Sequence, residues 1–73
     1  MYRVELRLRP QKSMEKIPAP NRVELINVLS ELENDPRPKG VEKVRGTELW
    51  RIRAGNYRII YAIDDKEQVV TIV

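Results

Sequence analysis

The segment from Glu48 to Tyr61 alternates apolar and charged residues on both sides of Gly55-Asn56. Alternation of period two is the mark of a half-buried strand, and a Gly-Asn pair between two such runs is a turn signal, so the segment is a β-hairpin. Two registers compete. A four-residue loop over 54–57 sets Arg53 against Arg58, Ile52 against Ile59, Arg51 against Ile60 and Trp50 against Tyr61. A three-residue loop over 54–56 sets Arg53 against Tyr57 and Ile52 against Arg58. The first gathers Trp50, Ile52, Ile59, Tyr61 and Ile63 on one face, whereas the second places Arg58 in the apolar layer. A slip of one residue exchanges the faces, so burial selects the first register.

The remaining elements are read around this hairpin. Tyr2, Val4, Leu6 and Leu8 alternate with Arg3, Glu5, Arg7 and Arg9, predicting a strand over 2–9 ended by Pro10. Residues 11–17 suit a short helix with Met14 and Ile17 inward, broken by Pro18 and Pro20. Asn21 is a candidate N-cap, with Glu24 completing a capping-box-like start. Leu25, Ile26, Leu29 and Leu32 recur at helical spacing, with Val28 beside them. They predict a helix over 21–34, stopped at Asn34-Asp35-Pro36 and followed by a loop to Gly40. Further strands are expected at 41–44, 49–53, 57–63 and 68–73. The sum is an α+β domain: an N-terminal strand, two helices, then a three- to four-stranded antiparallel meander with the helices on one face. The last strand, Val69 to Val73, is apolar on both faces. It is either central, or an edge that invites pairing with another chain, a partner segment or a second copy.

A chain of 73 residues forms one domain and buries only about 60% of its unfolded surface, so few core residues carry its stability. Trp50 is read as one of them, and its removal is expected to unfold the chain. With no Cys and no His, disulfides, Cys/His zinc sites and imidazole acid–base chemistry are excluded, and an intracellular location is the default. No apolar run approaches the roughly 18 residues of a membrane span, and the alternating start does not read as a signal peptide.

The net charge of +3 is unevenly spread. Residues 1–16 hold five bases and two acids, 17–40 three and four, 41–61 five and two, and 62–73 one and three. Two basic segments permit a polyanionic partner. The chosen register puts Arg51, Arg53 and Arg58 on the outer face of the hairpin. Like charges directly opposite are unfavourable, so Arg53 facing Arg58 points either to a bound anion or to side chains splayed into water or paired with Glu48. Lys43 and Arg45 lie just upstream, either as part of the same basic surface or as the usual charge of an edge strand. Trp50 and Tyr61 belong to the core in this register, whereas Tyr57 sits in the loop, free to stack on a base. Asp64 and Asp65 are adjacent in a turn and point apart, which argues against a metal pair.

Gly40-Val-Glu-Lys-Val-Arg-Gly46, then Leu49-Trp-Arg-Ile-Arg53, then Gly55-Asn-Tyr-Arg-Ile-Ile-Tyr61 resembles the RelE/ParE superfamily of type II toxin–antitoxin toxins. The likeness extends over nearly the whole chain, including the opening strand, the Lys-x-Ile-Pro break and Asn-Asp-Pro-Arg-Pro. It implies a RelE-like fold and, in the RelE branch, a ribosome-dependent endoribonuclease that cuts mRNA with basic residues and no cofactor. By position, the resemblance assigns Arg51, Arg53 and Arg58 to catalysis and Lys43 and Arg45 to RNA contact, beside Tyr57. It also implies a cognate antitoxin, mRNA on the ribosome as target, a cytoplasmic location, and no membrane. A homodimer is a further candidate assembly. In the ParE branch the same fold blocks DNA gyrase and the basic set is usually depleted, so its presence here favours RelE-like action. The alternative is a non-catalytic toxin that only binds antitoxin, gyrase or RNA. The family's last strand runs on into a segment with an Arg and then a Tyr or His for proton transfer. This sequence stops at Val73, so the expectation is a single toxin domain over 1–73 without that catalytic tail.

Overall fold

The computed structural model describes residues 1–73. In chain order the elements are β1 (Arg3–Leu6), α1 (Leu8–Glu15), α2 (Ala19–Asn34), β2 (Glu42–Lys43), β3 (Trp50–Ala54), β4 (Tyr57–Asp64) and β5 (Val69–Ile72). They build one five-stranded sheet in the order β1-β5-β4-β3-β2. The last four strands form the expected antiparallel meander, and β1 joins it parallel to β5, pairing Val4 with Val70 and Leu6 with Ile72. No helix is long and apolar enough to cross a membrane.

Both helices lie on one face because alternation delivers most of the large apolar side chains there. Ile52, Ala54, Ile59, Tyr61, Val70 and Ile72 from the sheet are buried against Leu25 and Leu32 of α2, with Met14 and Ile17 packed at the margin. Val70 and Ile72 are buried because β5 is a central strand, flanked by β1 and β4. The alternative of an exposed last strand is thereby settled: no partner can pair along β5. The true edges are β1 and β2, and β2 is two charged residues long, a form that discourages edge pairing.

The helix boundaries depart from the sequence reading at the prolines. β1 ends at Leu6, and α1 already contains Leu8, Arg9 and Pro10. Pro10 does not end a strand. It sits in the first turn of a helix, where its missing N–H would have no partner anyway. Leu8 is therefore 64% exposed rather than in the apolar layer. Likewise α2 begins at Ala19 with Pro18 in the cap position and Pro20 in the first turn. Asn21 is inside the helix, so neither it nor Glu24 forms the expected capping pair. Ile26 is 47% exposed and falls outside the buried stripe, whereas Leu25 and Leu32 hold it.

At one end of the sheet, polar contacts tie distant segments together. The Arg37 guanidinium donates two hydrogen bonds to the Asp65 carboxylate, at 3.1 and 2.9 Å, and the Tyr2 hydroxyl donates to the same carboxylate at 2.6 Å. The Tyr2 amide donates to the Glu33 carbonyl at 2.8 Å. The fully buried Tyr61 donates its hydroxyl to the Pro36 carbonyl at 2.8 Å, and burial pushes that phenol up to about 12. Trp50 lies at this end only half-buried, with the Arg37 Cζ 5.1 Å and the Lys43 Nζ 4.8 Å from its ring centre. The expectation of Trp50 as a fully buried core residue is corrected: it stands next to the short edge strand β2, where little chain covers it.

Two outcomes follow. Leu32→Ala, at a site with no solvent exposure, should lower the unfolding free energy by about 2–5 kcal/mol in urea titration, and Trp50→Ala should cost less than Leu32→Ala. Hydrogen bonds from Arg37 and then Tyr2 hold the Asp65 carboxyl down at about 2. A depressed carboxyl contributes stability that is fully present above its unfolded value near 4 and is lost as pH falls toward 2. Carboxyl-carbon NMR should show the Asp65 midpoint near 2 and, in Arg37→Ala, a rise toward the ordinary range.

Candidate nucleic-acid interface

The hairpin has the register that burial demanded. Trp50 pairs with Tyr61, Arg51 with Ile60, Ile52 with Ile59 and Arg53 with Arg58. Ala54 also pairs with Tyr57, which shortens the expected four-residue loop to Gly55-Asn56 without shifting a single partner. Gly55 takes φ +63° and Asn56 stays at negative φ, as in a type II′ hairpin turn. A Cβ on Gly55 would lie 2.9 Å from a carboxylate oxygen of Glu24, the far end of an exposed side chain that can swing aside, so the positive φ is what calls for glycine here.

This register decides where the six candidate residues lie. Arg53 and Arg58 face each other across the ladder on the outer face, away from the helices, and both are exposed. Neither has a carboxylate within salt-bridge distance; the ion pairs of the molecule are Arg3–Glu5, Arg37–Asp65, Lys43–Glu48 and Arg51–Glu42. Arg51 shares their face but is half-buried and pairs with Glu42 of β2 at 3.3 Å. The three-arginine set is thus two open cations and one restrained neighbour. Glu48, one candidate partner for Arg53 and Arg58, instead approaches the Lys43 Nζ at 3.8 Å.

The other three candidates are elsewhere. Lys43 pairs with Trp50 across β2–β3, on the helix side of the sheet, opposite to Arg51. Arg45 is exposed in the turn after β2 and has no ion pair. Tyr57 is corrected from a free loop residue to a strand residue: it pairs with Ala54, points to the helix side and is half-buried against the core. The structure therefore joins Arg53, Arg58 and Arg51 and separates Lys43 and Tyr57 from them.

Between the arginines and the far edge, the outer face carries Ile60, Ala62, Val69 and Thr71, half-buried and uncovered by any helix. A flat apolar strip beside two exposed guanidinium groups suits a ligand with both faces of a ring and an anionic backbone. Asp64 and Asp65 diverge as expected, Asp64 accepting the Glu67 amide at 3.0 Å and Asp65 accepting Tyr2 and Arg37. Sequence reasoning missed the approach of Glu24 to Gly55, because it read Glu24 only against its own helix. Nothing in local spacing brings residues 31 positions apart together.

The sequence matches the family described as the ParE toxin of type II toxin–antitoxin system, parDE, over residues 4–73. No curated protein matches it. Among solved structures, the RelE of the Pyrococcus horikoshii RelE–RelB complex is 31% identical, with a TM-score of 0.88 over 97% of this chain and 88% of that one. The Escherichia coli RelBE toxin–antitoxin complex gives 28% identity and a TM-score of 0.84 over 99% of this chain and 90% of that one. The Mycobacterium tuberculosis RelBE2 complex, at 23% identity and a TM-score of 0.86, shares the fold over 97% of this chain and 90% of that one. A family match across almost the whole length, on a fold shared with toxins solved beside their antitoxins, places this chain in the RelE/ParE superfamily of toxin–antitoxin toxins.

Proposed function

We propose that this toxin acts in the RelE manner, as a metal-independent endoribonuclease that cleaves mRNA on the ribosome, in the cytoplasm, with Arg53 and Arg58 gripping the scissile phosphate. The observation that carries the reading is the opposition of two exposed, unpaired guanidinium groups on neighbouring strands. Side by side they repel, and a phosphate between them turns that repulsion into attraction.

The chemistry is transfer of the phosphoryl group to the adjacent 2′-oxygen. The new O–P bond forms as the bond to the 5′-oxygen breaks, leaving a cyclic phosphate and a 5′-hydroxyl. Negative charge grows on the phosphate oxygens, and fixed cations aimed there lower the barrier. Arg53 and Arg58 supply donors in a planar fork that matches two oxygens, and they remain charged throughout. Arg51, held by Glu42, contributes field rather than a free hand. Lys43 and Arg45 would then meet more distant phosphates from the β2 side, and Tyr57 drops out as a stacking residue.

Guanidinium groups are poor proton carriers at neutral pH. The Tyr61 phenol is committed to Pro36, and Tyr57 faces the helix side. Alignment of the RNA by the ribosome would contribute to the rate through orientation. This scarcity of acid–base groups on the arginine face also favours a second reading, in which the same surface binds RNA or a protein target without cutting. Relatives solved with RelB make an antitoxin the partner in either case.

Arg53→Ala and Arg58→Ala should each weaken binding of a single-stranded RNA oligomer. Each should reduce the slope of log K against log salt by about 0.7, one phosphate contact. In a translating extract each should lower mRNA cleavage about 10²- to 10³-fold. Unchanged slopes would remove the phosphate grip, and intact mRNA with the unaltered protein would leave the binding reading.

A further inference from the structure

Attack by a ribose 2′-hydroxyl needs a group that takes its proton. The guanidinium groups do not supply one. The phenols of Tyr2 and Tyr61 donate to Asp65 and to Pro36, and Tyr57 lies on the helix side of the sheet. Carboxylates remain. Three strand residues bring one to the outer face. Glu5 of β1 is paired with Arg3 at 2.8 Å, and Asp64, at the far end of β4, accepts the Glu67 amide. Glu42 of β2 is the third, and it alone lies beside the arginines. Lys43 pairs with Trp50 on the helix side, so alternation turns Glu42 and its cross-strand partner Arg51 outward.

Arg51 holds this carboxylate without enclosing it. Its Nη2 donates to Oε1 of Glu42 at 3.3 Å, a long hydrogen bond. Oε2 accepts from no other side chain, and the Glu42 side chain is 64% exposed. One oxygen is therefore fixed and the other is open to a ligand. The positive charge of Arg51 also offsets the repulsion that a lone carboxylate would exert on a phosphate.

The reach is sufficient. With strands about 4.8 Å apart and a rise of about 3.3 Å per residue, the Glu42 backbone lies about 10 Å from the midpoint between Arg53 and Arg58. The 2′-hydroxyl that attacks a phosphate held there belongs to the ribose bonded to that phosphate. With that ribose toward β2, an extended glutamate side chain and one hydrogen bond span the remaining gap. Glu5 and Asp64 are too far along the sheet to do the same.

We propose that Glu42 is the general base of RNA cleavage and that Arg51 is its positioning residue. Oε2 of Glu42 takes the proton of the 2′-hydroxyl as the 2′-oxygen bonds to phosphorus. The bond from phosphorus to the 5′-oxygen breaks, and the departing oxygen takes a proton from water. Glu42 then returns its proton to the hydroxide left behind. The assignment rests on the ribonuclease reading, but it concerns the proton, whereas that reading concerns the phosphate.

The test uses the full chain, in excess over purified ribosomes carrying a short mRNA, so that a single turnover is read. Glu42→Gln keeps a side-chain oxygen for Arg51 and cannot take a proton. Its cleavage rate at saturation should fall about 10²- to 10⁴-fold, while its affinity for a single-stranded RNA oligomer should not weaken. The unaltered chain should lose rate on acidification through one ionisation, and Glu42→Gln should lack that dependence. Glu42→Asp should keep the dependence at a reduced rate. Glu5→Gln, which opens an ion pair on the same face away from the arginines, should leave rate and pH dependence as they were. A Glu42→Gln rate within threefold of the unaltered one, or an unchanged pH dependence, overturns the assignment and leaves the phosphate grip standing. A variant that loses only RNA affinity also overturns it, since Glu42 would then be an edge-strand contact. Intact mRNA with the unaltered chain, beside normal RNA binding, removes the ribonuclease reading itself and the assignment with it.

Discussion

Because side chains alternate across a strand, the register between β3 and β4 decides at once what this domain buries and what it presents. Pairing Ile52 with Ile59 and Trp50 with Tyr61 turns four large apolar side chains toward α2. The same pairing forces Arg53 and Arg58 together on the opposite face. The two consequences cannot be separated, since a slip of one residue would bury an arginine and expose an isoleucine. Gly55 secures the arrangement by taking a positive φ in the turn and leaving room for the Glu24 carboxylate of α2. The like-charge opposition on the outer face is thus maintained by apolar burial on the inner one. That is how a small domain can hold an arrangement which, by itself, is unfavourable.

A core of eight buried residues leaves the ends of the sheet exposed to fraying, and polar contacts counter that at the end away from the hairpin turn. Arg37 reaches Asp65 in the β4–β5 turn, Asp65 holds Tyr2 at the entry to β1, and Tyr2 closes onto the end of α2 through Glu33. Each contact is exposed and worth little alone. Together they join three segments distant in sequence, and the buried Tyr61–Pro36 bond anchors the same loop from inside. The hairpin-turn end has no equivalent. There a groove lies between the two helices and the sheet, beside Arg58.

The functional surface is consequently asymmetric. Glu42 restrains Arg51, Glu48 and the Trp50 ring engage Lys43, and Asp65 holds Arg37. Arg53 and Arg58 alone on the hairpin remain unengaged. Cations already satisfied by carboxylates in the same chain have little to gain from a phosphate, whereas two that repel each other gain from it doubly. The toxin's surface charge is therefore best described by which cations lack partners, and less by its net value of +3.

The alternation of residues 48–61 was enough to determine the hairpin, its register and the shared face of Arg51, Arg53 and Arg58, because strand periodicity is a local property and burial penalises the slip. The α+β order was legible from apolar periodicity along the whole chain, and the superfamily from the motifs between Gly40 and Tyr61. Helix starts at Leu8 and Ala19 were not, because proline reads as a breaker in one dimension yet fits the first turn of a helix in three. Nor was the fate of each cation. Glu42 on Arg51, Glu48 on Lys43, Tyr57 turned to the helix side and β5 in the centre are all matters of which strand lies beside which. The sequence by itself determined which side chains share a face. Only the tertiary structure decided which of them find a partner, because ion pairs and strand neighbours form between segments whose separation along the chain carries no information about their distance in space.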